Sequence, residues 1–367
     1  MKITAIRFAK LIVPLITPFK TAIREVDHIT DLVVIVETDS GVVGYGSAPA
    51  TPLITGDTHA SIYSAINTVI GPQIIGMQVE DLNAICHKIQ HAMLANTSAK
   101  ATLEIAVYDL WGKLYQTPLY KLLGGGNTQL RTDVTISVNH IDKMLADANL
   151  AIDQGFDILK VKIGTDIEHD IARVKAIFQH VAKRARLRLD VNQGWSAKQT
   201  VYAIQQLEQS GVELELIEQP VKSKDVEGLR YVTQRITTPV MADESAFSPL
   251  QVIDIIRSGA ADIINIKLMK CGGLSQAIKI ADLAELHNIP CMIGCMLEGS
   301  ISVAAAAHLA SAKSSSISLI DLDGPALGQF DPVQGGVNFE YSHITLSQGA
   351  GLGIDNIQGL EELTWPF

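Results

Sequence analysis

The chain has 367 residues, of which 47% are hydrophobic and 19% are charged. This balance is typical of a folded globular protein and excludes a disordered or membrane-spanning chain. The formal net charge is −10 and the sequence has no run of lysines or arginines, so neither a nucleic acid nor a membrane surface is an expected partner.

The N-terminal stretch and the cysteines bear on location. The stretch up to Phe19 is partly apolar, but Pro14, Pro18 and interspersed charges interrupt it, which is not the pattern of a signal peptide. No segment reaches the roughly 18 to 20 apolar residues that a membrane span needs. A cytoplasmic protein without disulfide bonds is therefore expected, since no CxxC pair occurs among Cys86, Cys271, Cys291 and Cys295.

Residues 1–125 predict an α+β domain, with strands first and helices after. Ile3–Phe8 has the composition of a strand, and a second apolar run is typical of a hairpin whose turn lies at Asp39–Gly41. Three segments with helical periodicity follow. Pro118 and the triplet Gly124–Gly126 then mark the end of the domain.

From Leu130 onward, apolar strand-like segments alternate with helical runs. The segments are TDVTISV, DILKVKI, LRLDVN, LELIEQ, PVMADE, DIINIKL, CMIGCM and SLIDLD. Strands and helices that alternate in this way predict an α/β fold, a TIM-like parallel barrel over residues 126–323. The Gly- and Pro-rich segment 324–367 is expected to return to the first domain.

Four of these strand-like segments end in a charged residue. Asp190, Glu218, Asp243 and Lys267 follow one another at intervals of 24 to 28 residues, about the length of one strand, loop and helix. Because the C-terminal ends of barrel strands converge, the four side chains are expected in one mouth. Each carboxylate alone could equally be an ordinary loop or helix-cap residue. Their common register favours a shared site.

Lys160 and Lys162 belong to the preceding strand. They are two residues apart and therefore lie on the same face of it. A solvated face is the alternative, but a barrel strand has helices on one side and the core on the other, and a lone buried ammonium group is costly. We expect both lysines beside the strand-end carboxylates.

The chemistry of this set indicates a divalent metal and basic lysines. Asp190, Glu218 and Asp243 supply only oxygen ligands, which suits Mg²⁺, and Asn192 is placed to support Asp190. No histidine pair has the spacing of a zinc site. Burial and a nearby cation are both expected to favour neutral, basic lysines. Lys162 and Lys267, on the second and sixth strands, would then act from opposite sides of one carbon, whose enediolate the cation would stabilise.

These motifs closely resemble those of the enolase superfamily, muconate-lactonizing subgroup. The resemblance is carried by the KVK motif at Lys160–Lys162, the three strand-end carboxylates and Lys267 on the sixth strand. It implies a capping domain over a (β/α)7β barrel and one Mg²⁺ per chain. It also implies that Lys162 and Lys267 are the acid/base pair, and that Lys160 stabilises the enolate.

The eighth strand narrows the activity. Asp321 and Asp323 lie on one face of its end as two unpaired carboxylates that would suit an ammonium ligand, although an Asx turn before Gly324 is the plainer alternative. A DxD motif at this position resembles that of dipeptide epimerases, including L-Ala-D/L-Glu epimerases. That likeness implies that the motif binds the substrate amine, and that Thr135 and Cys295 contact substrate.

The expected function is therefore inversion of the C-terminal α-carbon of L-Ala-L-Xaa dipeptides, a small-molecule substrate. Arg24, in the polar loop 17–24, is expected to reach the second side chain and favour Glu, unless it points to solvent. Another activity of the subgroup, cycloisomerase or o-succinylbenzoate synthase, and a non-catalytic binding barrel are the alternatives. The sequence leaves open whether the chain forms a homo-oligomer.

Overall fold

The computed structural model describes residues 1–20 and 25–363, and it begins with an antiparallel sheet. The first three strands lie side by side and are β1 (Ile3–Lys20), β2 (Glu25–Thr38) and β3 (Val43–Pro49). The hairpin with its turn at Asp39–Gly41 is confirmed. β1 is longer than expected and continues past Pro14 and Pro18. The ladder with β2 shifts register between Pro14 and Phe19, where a residue without an N–H group is tolerated.

Helices cover this sheet. They are α1 (His59–Ser64), α2 (Gly71–Ile74), α3 (Leu82–His91), α4 (Thr97–Leu114) and α5 (Leu119–Leu122), with a π-helical segment at Ala65–Ile70 and a 3₁₀ turn at Val79–Asp81. α4 is buried along most of its length. It can approach β3 closely because Gly46 has no side chain, and a Cβ atom there would lie 1.9 Å from the carbonyl oxygen of Thr102.

Eight parallel strands form the second sheet in sequential order, from β5 to β12. After the short β4 (Gln129–Arg131), they are β5 (Val134–Ile136), β6 (Ile158–Lys162), β7 (Arg186–Asp190), β8 (Leu216–Glu218), β9 (Val240–Ala242), β10 (Ile263–Ile266), β11 (Cys291–Gly294) and β12 (Ile317–Asp321). The predicted TIM-like barrel with a capping domain is thus confirmed. Its first and last strands are linked by hydrogen bonds from Thr135 N to Asp323 and from Leu322 N to the Thr132 hydroxyl.

Helices connect the barrel strands and pack around them. They are α6 (Ile141–Asp153), α7 (Ile167–Val181), α8 (Ala197–Gln209), α9 (Val226–Thr233), α10 (Pro249–Ser258), the single turn α11 (Leu268–Cys271), α12 (Leu274–Leu286) and α13 (Ser300–Ala312). Polar N-caps start several of them, and Ser196 and Ser248 form capping boxes with a glutamine three residues later. These caps help to fix where each loop ends, and therefore the shape of the mouth.

The barrel floor is partly apolar and partly ionic. Side chains from β8 to β12 form a buried cluster, which contains Leu216, Met241, Ile263 and Met292 with Leu319 packed against it. On the other side, the fully buried Arg188 of β7 pairs with Asp133 at 2.7 Å and donates to the carbonyl oxygen of Ile320 at 2.9 Å. Pairing satisfies the buried guanidinium. The floor closes the barrel beneath the strand ends.

The C-terminal residues run back to the first sheet. After a 3₁₀ turn at Gly324–Leu327, the strands are β13 (Val333–Gly335), β14 (Val337–Glu340), β15 (His343–Leu346), β16 (Ile354–Ile357) and β17 (Glu361–Leu363). β15 pairs with β4, and β17 pairs with β1 in antiparallel register. Within residues 1–20 and 25–363, no helix has the length and apolar character needed to cross a bilayer.

Candidate active site

A cleft opens at the C-terminal ends of the barrel strands. Lys160 and Lys162 of β6 both line it and are almost fully buried, at 2% and 6% exposure. They share a face of the strand because side chains alternate along it. In register, Lys160 lies beside Thr135 of β5 and Lys162 lies beside Asp190 of β7. The strand alternation thus brings both lysines to the mouth.

Three carboxylates follow on neighbouring strands. Asp190 ends β7 and Glu218 ends β8, and these two residues are direct partners in the parallel ladder. Asp243 comes immediately after β9, and all three side chains are at most 2% exposed. Lys267 follows β10, the sixth of the eight strands, whereas Lys162 ends β6, the second. The two lysines therefore approach from opposite sides of the barrel.

Ion pairs join these side chains directly. The Lys160 ammonium group lies 3.1 Å from Asp190 Oδ2, 2.7 Å from Glu218 Oε2 and 2.6 Å from Asp321 Oδ2. Lys162 Nζ donates to Asp190 Oδ2 at 2.6 Å. Lys267 Nζ donates to Asp243 Oδ2 at 2.7 Å and lies 3.7 Å from Glu218 Oε1. The predicted site residues on the strand ends thus form one contiguous network.

The network sets the protonation of its members. Burial lowers the pKa of Lys267, but the carboxylates of Asp243 and Glu218 raise it by more. The net pKa therefore lies well above its usual range. Burial likewise raises the pKa of Asp243, but Lys267 and Lys270 outweigh it and the pKa falls below its ordinary value. The facing carboxylates of this arrangement therefore favour the protonated form of Lys267, and a neutral, basic Lys267 beside a bound cation stays a prediction.

The buried charge at the mouth is suited to a divalent cation. Six carboxylates and four ammonium groups lie around it, all buried: Asp190, Glu218, Asp243, Glu244, Asp321 and Asp323, with Lys160, Lys162, Lys267 and Lys270. With every group ionised, two negative charges are left unbalanced, and such an excess is costly in a buried site. Both carboxylate oxygens of Glu244 and Oδ1 of Asn192 have no hydrogen-bond partner.

These donors are oxygens, which fits Mg²⁺. Across the described ranges 1–20 and 25–363, no three carboxylate, His or Cys side chains already form a cluster that could hold an ion. The reason lies in the ion pairs, because ammonium groups occupy the oxygens that would be ligands. The backbone N–H of Asn192 donates to Asp190 Oδ1 at 2.9 Å.

Asp321 and Asp323 both line the cleft, but the expectation that they are unpaired is wrong. Asp321 is bonded to Lys160, and Asp323 Oδ2 accepts a hydrogen bond from the backbone N–H of Thr135 at 2.7 Å. The first and last barrel strands meet here, so a polar group at the end of one strand bonds to a polar group of the other. One carboxylate is therefore neutralised by a lysine, and the other is held in place by a backbone N–H group.

Three polar residues of the site were not foreseen. Asn265 on β10 donates from Nδ2 to Glu218 Oε1 at 2.8 Å, and Lys270 lies 2.5 Å from Asp243 Oδ1. Glu244 follows Asp243 and lines the cleft. Asn265 lies two residues before Lys267 and therefore on the same face of the strand, and Glu244 directly follows Asp243. The sequence could therefore have indicated both Asn265 and Glu244. Lys270 had no such signal, because it follows the strand in a separate turn.

The remaining cleft wall is mainly apolar. Phe19 of β1 contributes from the first sheet, and Leu297 and Leu327 contribute from the ends of β11 and β12. Cys295 also lines the cleft, and burial raises the pKa of its thiol well above the usual range. Arg24 lies outside the described residues. The other predicted side chains line this cleft, except Asp190 and Glu218, which pair with the cleft-lining Lys162 and Lys160.

Two family models match the chain in sequence. Residues 2–124 match the mandelate racemase / muconate lactonizing enzyme N-terminal domain. Residues 143–357 match the enolase C-terminal domain-like model. The two matches together span the sheet-and-helix region at the start of the chain and most of the barrel and its tail.

Characterised relatives are similar over nearly the full length. The L-Ala-D/L-Glu epimerase of Clostridium acetobutylicum is 48% identical over 97% of this chain and 99% of its own. A substrate-liganded L-Ala-D/L-Glu epimerase from Bacillus subtilis has a TM-score of 0.95 at 45% identity, covering 97% of this chain and 99% of that one. A dipeptide epimerase from Enterococcus faecalis, in complex with Mg and L-Leu-L-Tyr, has a TM-score of 0.93 at 42% identity, covering 97% and 100%.

Proposed function

The chain belongs to the mandelate racemase / muconate lactonizing enzyme family of the enolase superfamily, and from that premise we propose that it is a dipeptide epimerase. It inverts the α-carbon of the C-terminal residue of L-Ala-L-Xaa dipeptides. The observation that carries the proposal is the pair of buried lysines, Lys162 and Lys267, on the second and sixth strands of one eight-stranded barrel. Two relatives at 48% and 45% identity are L-Ala-D/L-Glu epimerases, and one at 42% identity is a hydrophobic dipeptide epimerase.

The two lysines act on opposite faces of the α-carbon. In the direction from the L to the D epimer, Lys162 removes the proton and the protonated Lys267 returns one to the other face. In the reverse direction the roles exchange. Lys160, already bonded to two of the three strand-end carboxylates, supplies a fixed positive charge beside the reacting carboxylate group.

Asp190, Glu218 and Asp243 would hold one Mg²⁺ per chain, with Asn192 supporting Asp190. When bound, the ion would supply positive charge that stabilises the enediolate formed as the α-proton leaves. Neighbouring structures of dipeptide epimerases contain Mg and a dipeptide, which supports the choice of metal.

The substrate's ammonium group binds at Asp321 and Asp323. Asp323 is oriented by Thr135, and Asp321 is positioned by Lys160, so both carboxylates are held at the cleft wall before substrate arrives. Cys295 lies at the same wall and contacts the dipeptide. Substrates of the cycloisomerase and o-succinylbenzoate synthase type carry no ammonium group and would leave these carboxylates without a partner.

The side chain of the second dipeptide residue is bound by residues other than the two lysines. Arg24 would bind a Glu side chain through a charge-assisted pair, which makes L-Ala-L-Glu the first substrate to test. The apolar wall formed by Phe19, Leu297 and Leu327 favours an apolar second residue instead if Arg24 does not reach the cleft. Comparing kcat/KM across L-Ala-L-Xaa dipeptides for the wild type and Arg24→Met decides between them. Loss of an acidic preference in the variant supports Arg24.

The proposed division of the chain has a capping domain at 1–125, a catalytic barrel at 126–323 and a C-terminal segment at 324–367 that rejoins the capping sheet. Pairing of β17 with β1 supports the last part. A cytoplasmic location and the absence of nucleic-acid and membrane partners stay predictions from the sequence. The subunit count stays open.

The test of the proposal is conversion of L-Ala-L-Glu to L-Ala-D-Glu, followed by chiral separation after hydrolysis. Chelation with EDTA should abolish turnover and added Mg²⁺ should restore it. Full activity of Glu218→Gln in EDTA would contradict the metal assignment. An N-acetylated dipeptide should react far more slowly than the free one, and equal rates would remove Asp321 and Asp323 from amine binding.

A further inference from the structure

A buried carboxylate of the capping domain bonds directly to the barrel. Glu104 lies in α4, the long helix beneath the first sheet, and its side chain is 0% exposed. Its Oε2 accepts a hydrogen bond from the backbone N–H of Ser275 at 2.8 Å, and its Oε1 accepts one from the Ser275 hydroxyl at 2.6 Å. Gln90 of α3 donates to Glu104 Oε1 at 2.8 Å and to the carbonyl oxygen of Gly272 at 2.7 Å. We call these residues the cap clasp.

The cap clasp is hydrogen-bonded to the turn that follows Lys267. That residue is the N-cap of the single-turn helix α11, and its carbonyl oxygen accepts from the N–H groups of Lys270 and Cys271. Gly272 and Gly273 then turn the chain into α12 with φ values of +92° and +119°. A Cβ atom on Gly273 would lie 2.5 Å from Glu104 Oε2. Only glycine permits both the backbone conformation and so close an approach.

The other end of the same turn is fixed at the reaction site. The Lys270 ammonium group is fully buried and lies 2.5 Å from Asp243 Oδ1. It also donates to the carbonyl oxygens of Asp243 and Asn265, at 2.5 Å and 2.9 Å. The segment from Lys267 to Ser275 is therefore tied to the barrel strands at one end and to the capping domain at the other.

We propose that Glu104 is a positioning residue for Lys267, so that the capping domain sets the placement of one of the two bases. The inference rests on the proposed function, because it needs Lys267 to be a base. Burial raises the pKa of Glu104 to about 6, so the carboxylate that accepts these bonds is ionised at neutral pH. Hydrogen bonds to an ionised acceptor are the stronger kind.

The effect is confined to one face of the substrate. Lys162 is followed by Gly164 and Thr165, whose backbone N–H groups both donate to Asp170 at 2.8 and 3.0 Å. Asp170 lies in α7, the next helix of the barrel, and not in the capping domain. Loosening the cap clasp should therefore displace Lys267 and leave Lys162 in place. Misplacement of a reacting group by about 1 Å costs on the order of 100-fold in rate.

The experiment compares α-proton exchange from each epimer in D₂O with Glu104→Gln. The amide removes one acceptor and turns an N–H group toward the Ser275 N–H or Gln90. Exchange of the L-Ala-D-Glu α-proton, which needs Lys267, should fall about 10- to 100-fold. Exchange of the L-Ala-L-Glu α-proton, which needs Lys162, should stay within about 3-fold of the wild type.

Asp109→Asn is the matched control. Asp109 is a second fully buried carboxylate on α4, but it accepts from the N–H groups of Tyr45 and Leu352 and pairs with Lys113, away from the Lys267 turn. It should lower the melting temperature comparably and change both exchange rates by the same factor. A selective loss on the D epimer in Glu104→Gln alone is the result that the proposal requires.

Equal loss on both epimers in Glu104→Gln, or no loss on either, would overturn the inference. If that variant does not fold, Ser275→Ala is the second variant. It removes the hydroxyl contact to Glu104 and a 3.4 Å contact from Gln276 Nε2, and it keeps the backbone N–H bond to Glu104. It should show the same selectivity at smaller size. Wild-type enzyme that exchanges neither α-proton would instead refute the proposed function, so the two failures are distinguishable.

Discussion

The two proposed bases, Lys162 and Lys267, are held in place by different means. Lys162 ends a strand whose following loop is fixed by Asp170, a residue of the adjoining barrel helix that is six positions away from Gly164. Lys267 precedes a turn that is fixed by Glu104, which is 171 residues away from its partner Ser275 and belongs to the capping domain. Both lysines pair with a strand-end carboxylate, at 2.6 and 2.7 Å. The loop after Lys162 is thus bonded within the barrel, whereas the turn after Lys267 is bonded to the capping domain. The capping domain reaches Lys162 through the ring of Phe19, whose centroid lies 5.9 Å from the Lys162 ammonium group.

This difference shows what the capping domain does besides covering the cleft. Phe19 contributes to the cleft wall from β1. The cap clasp instead bonds to the segment that follows Lys267. We therefore propose that the same domain affects substrate fit through Phe19 and the placement of Lys267 through the cap clasp. Changes in the capping domain should therefore separate into effects on KM and effects on a single direction of proton transfer.

Replacing Lys162 or Lys267 should have the largest effect on epimerisation, and it tests whether each lysine serves one epimer. Lys162→Ala and Lys267→Ala should each reduce epimerisation by at least about 1,000-fold, because a two-base reaction needs both groups. Each variant should still exchange the α-proton of one epimer with D₂O, the D epimer in Lys162→Ala and the L epimer in Lys267→Ala. Wild-type epimerisation in both variants would exclude the two-base scheme.

Asp323→Asn is expected to affect the two faces equally. Removing one charge partner of a buried ammonium ligand costs about 2 to 5 kcal/mol, so kcat/KM should fall at least about 30-fold for either epimer. Steady-state kinetics on L-Ala-L-Glu and L-Ala-D-Glu provides the measurement. A loss confined to one epimer would place Asp323 with a single base instead of with the substrate.

Asp170→Asn is the counterpart of the change at Glu104. It removes an acceptor from the N–H groups of Gly164 and Thr165 and weakens the pair with Arg173 at 2.7 Å. Exchange of the L epimer should slow by about 10-fold while exchange of the D epimer changes less. The same NMR exchange assay reports both rates. Selectivity in the opposite sense would contradict the assignment of Lys162 to the L epimer.

Gly273→Ala should lower the free energy of unfolding. Its φ of +119° and ψ of −175° are open essentially to glycine alone, and the new Cβ atom would contact Glu104. Strain of this kind costs about 1 to 3 kcal/mol of unfolding free energy. Gly259→Ala is the control, since φ is +61° and nothing lies within 4 Å. Urea unfolding of both variants should show the larger loss for Gly273→Ala, and equal losses would remove the contact argument.

Much of the barrel was predictable because its signals are local. The apolar segments that carry Asp190, Glu218 and Asp243 form strands that end at or just before those residues. The alternation of a strand suffices to place Lys160 and Lys162 on one face. The same register also predicts that the charged side chains at the ends of consecutive strands lie close together.

Contacts between distant segments were not predictable from these local patterns. The pairing of Lys160 with Asp321 depends on how the first and last barrel strands meet, and the partners are 161 residues apart. The bond from Ser275 to Glu104 depends on how the capping domain packs against the barrel. The proline-interrupted end of β1 was predicted as a loop, yet its strand extends to Lys20 because the register shift accommodates the prolines.

The most direct test of the central claim is proton NMR of L-Ala-L-Glu incubated with the Mg²⁺-supplemented enzyme in D₂O. Two bases on opposite faces predict loss of the α-proton signal of the Glu residue alone, with L-Ala-D-Glu appearing deuterated at that carbon and the Ala α-proton unchanged. Retention of the Glu α-proton in both epimers, or exchange at Ala instead, would contradict the account.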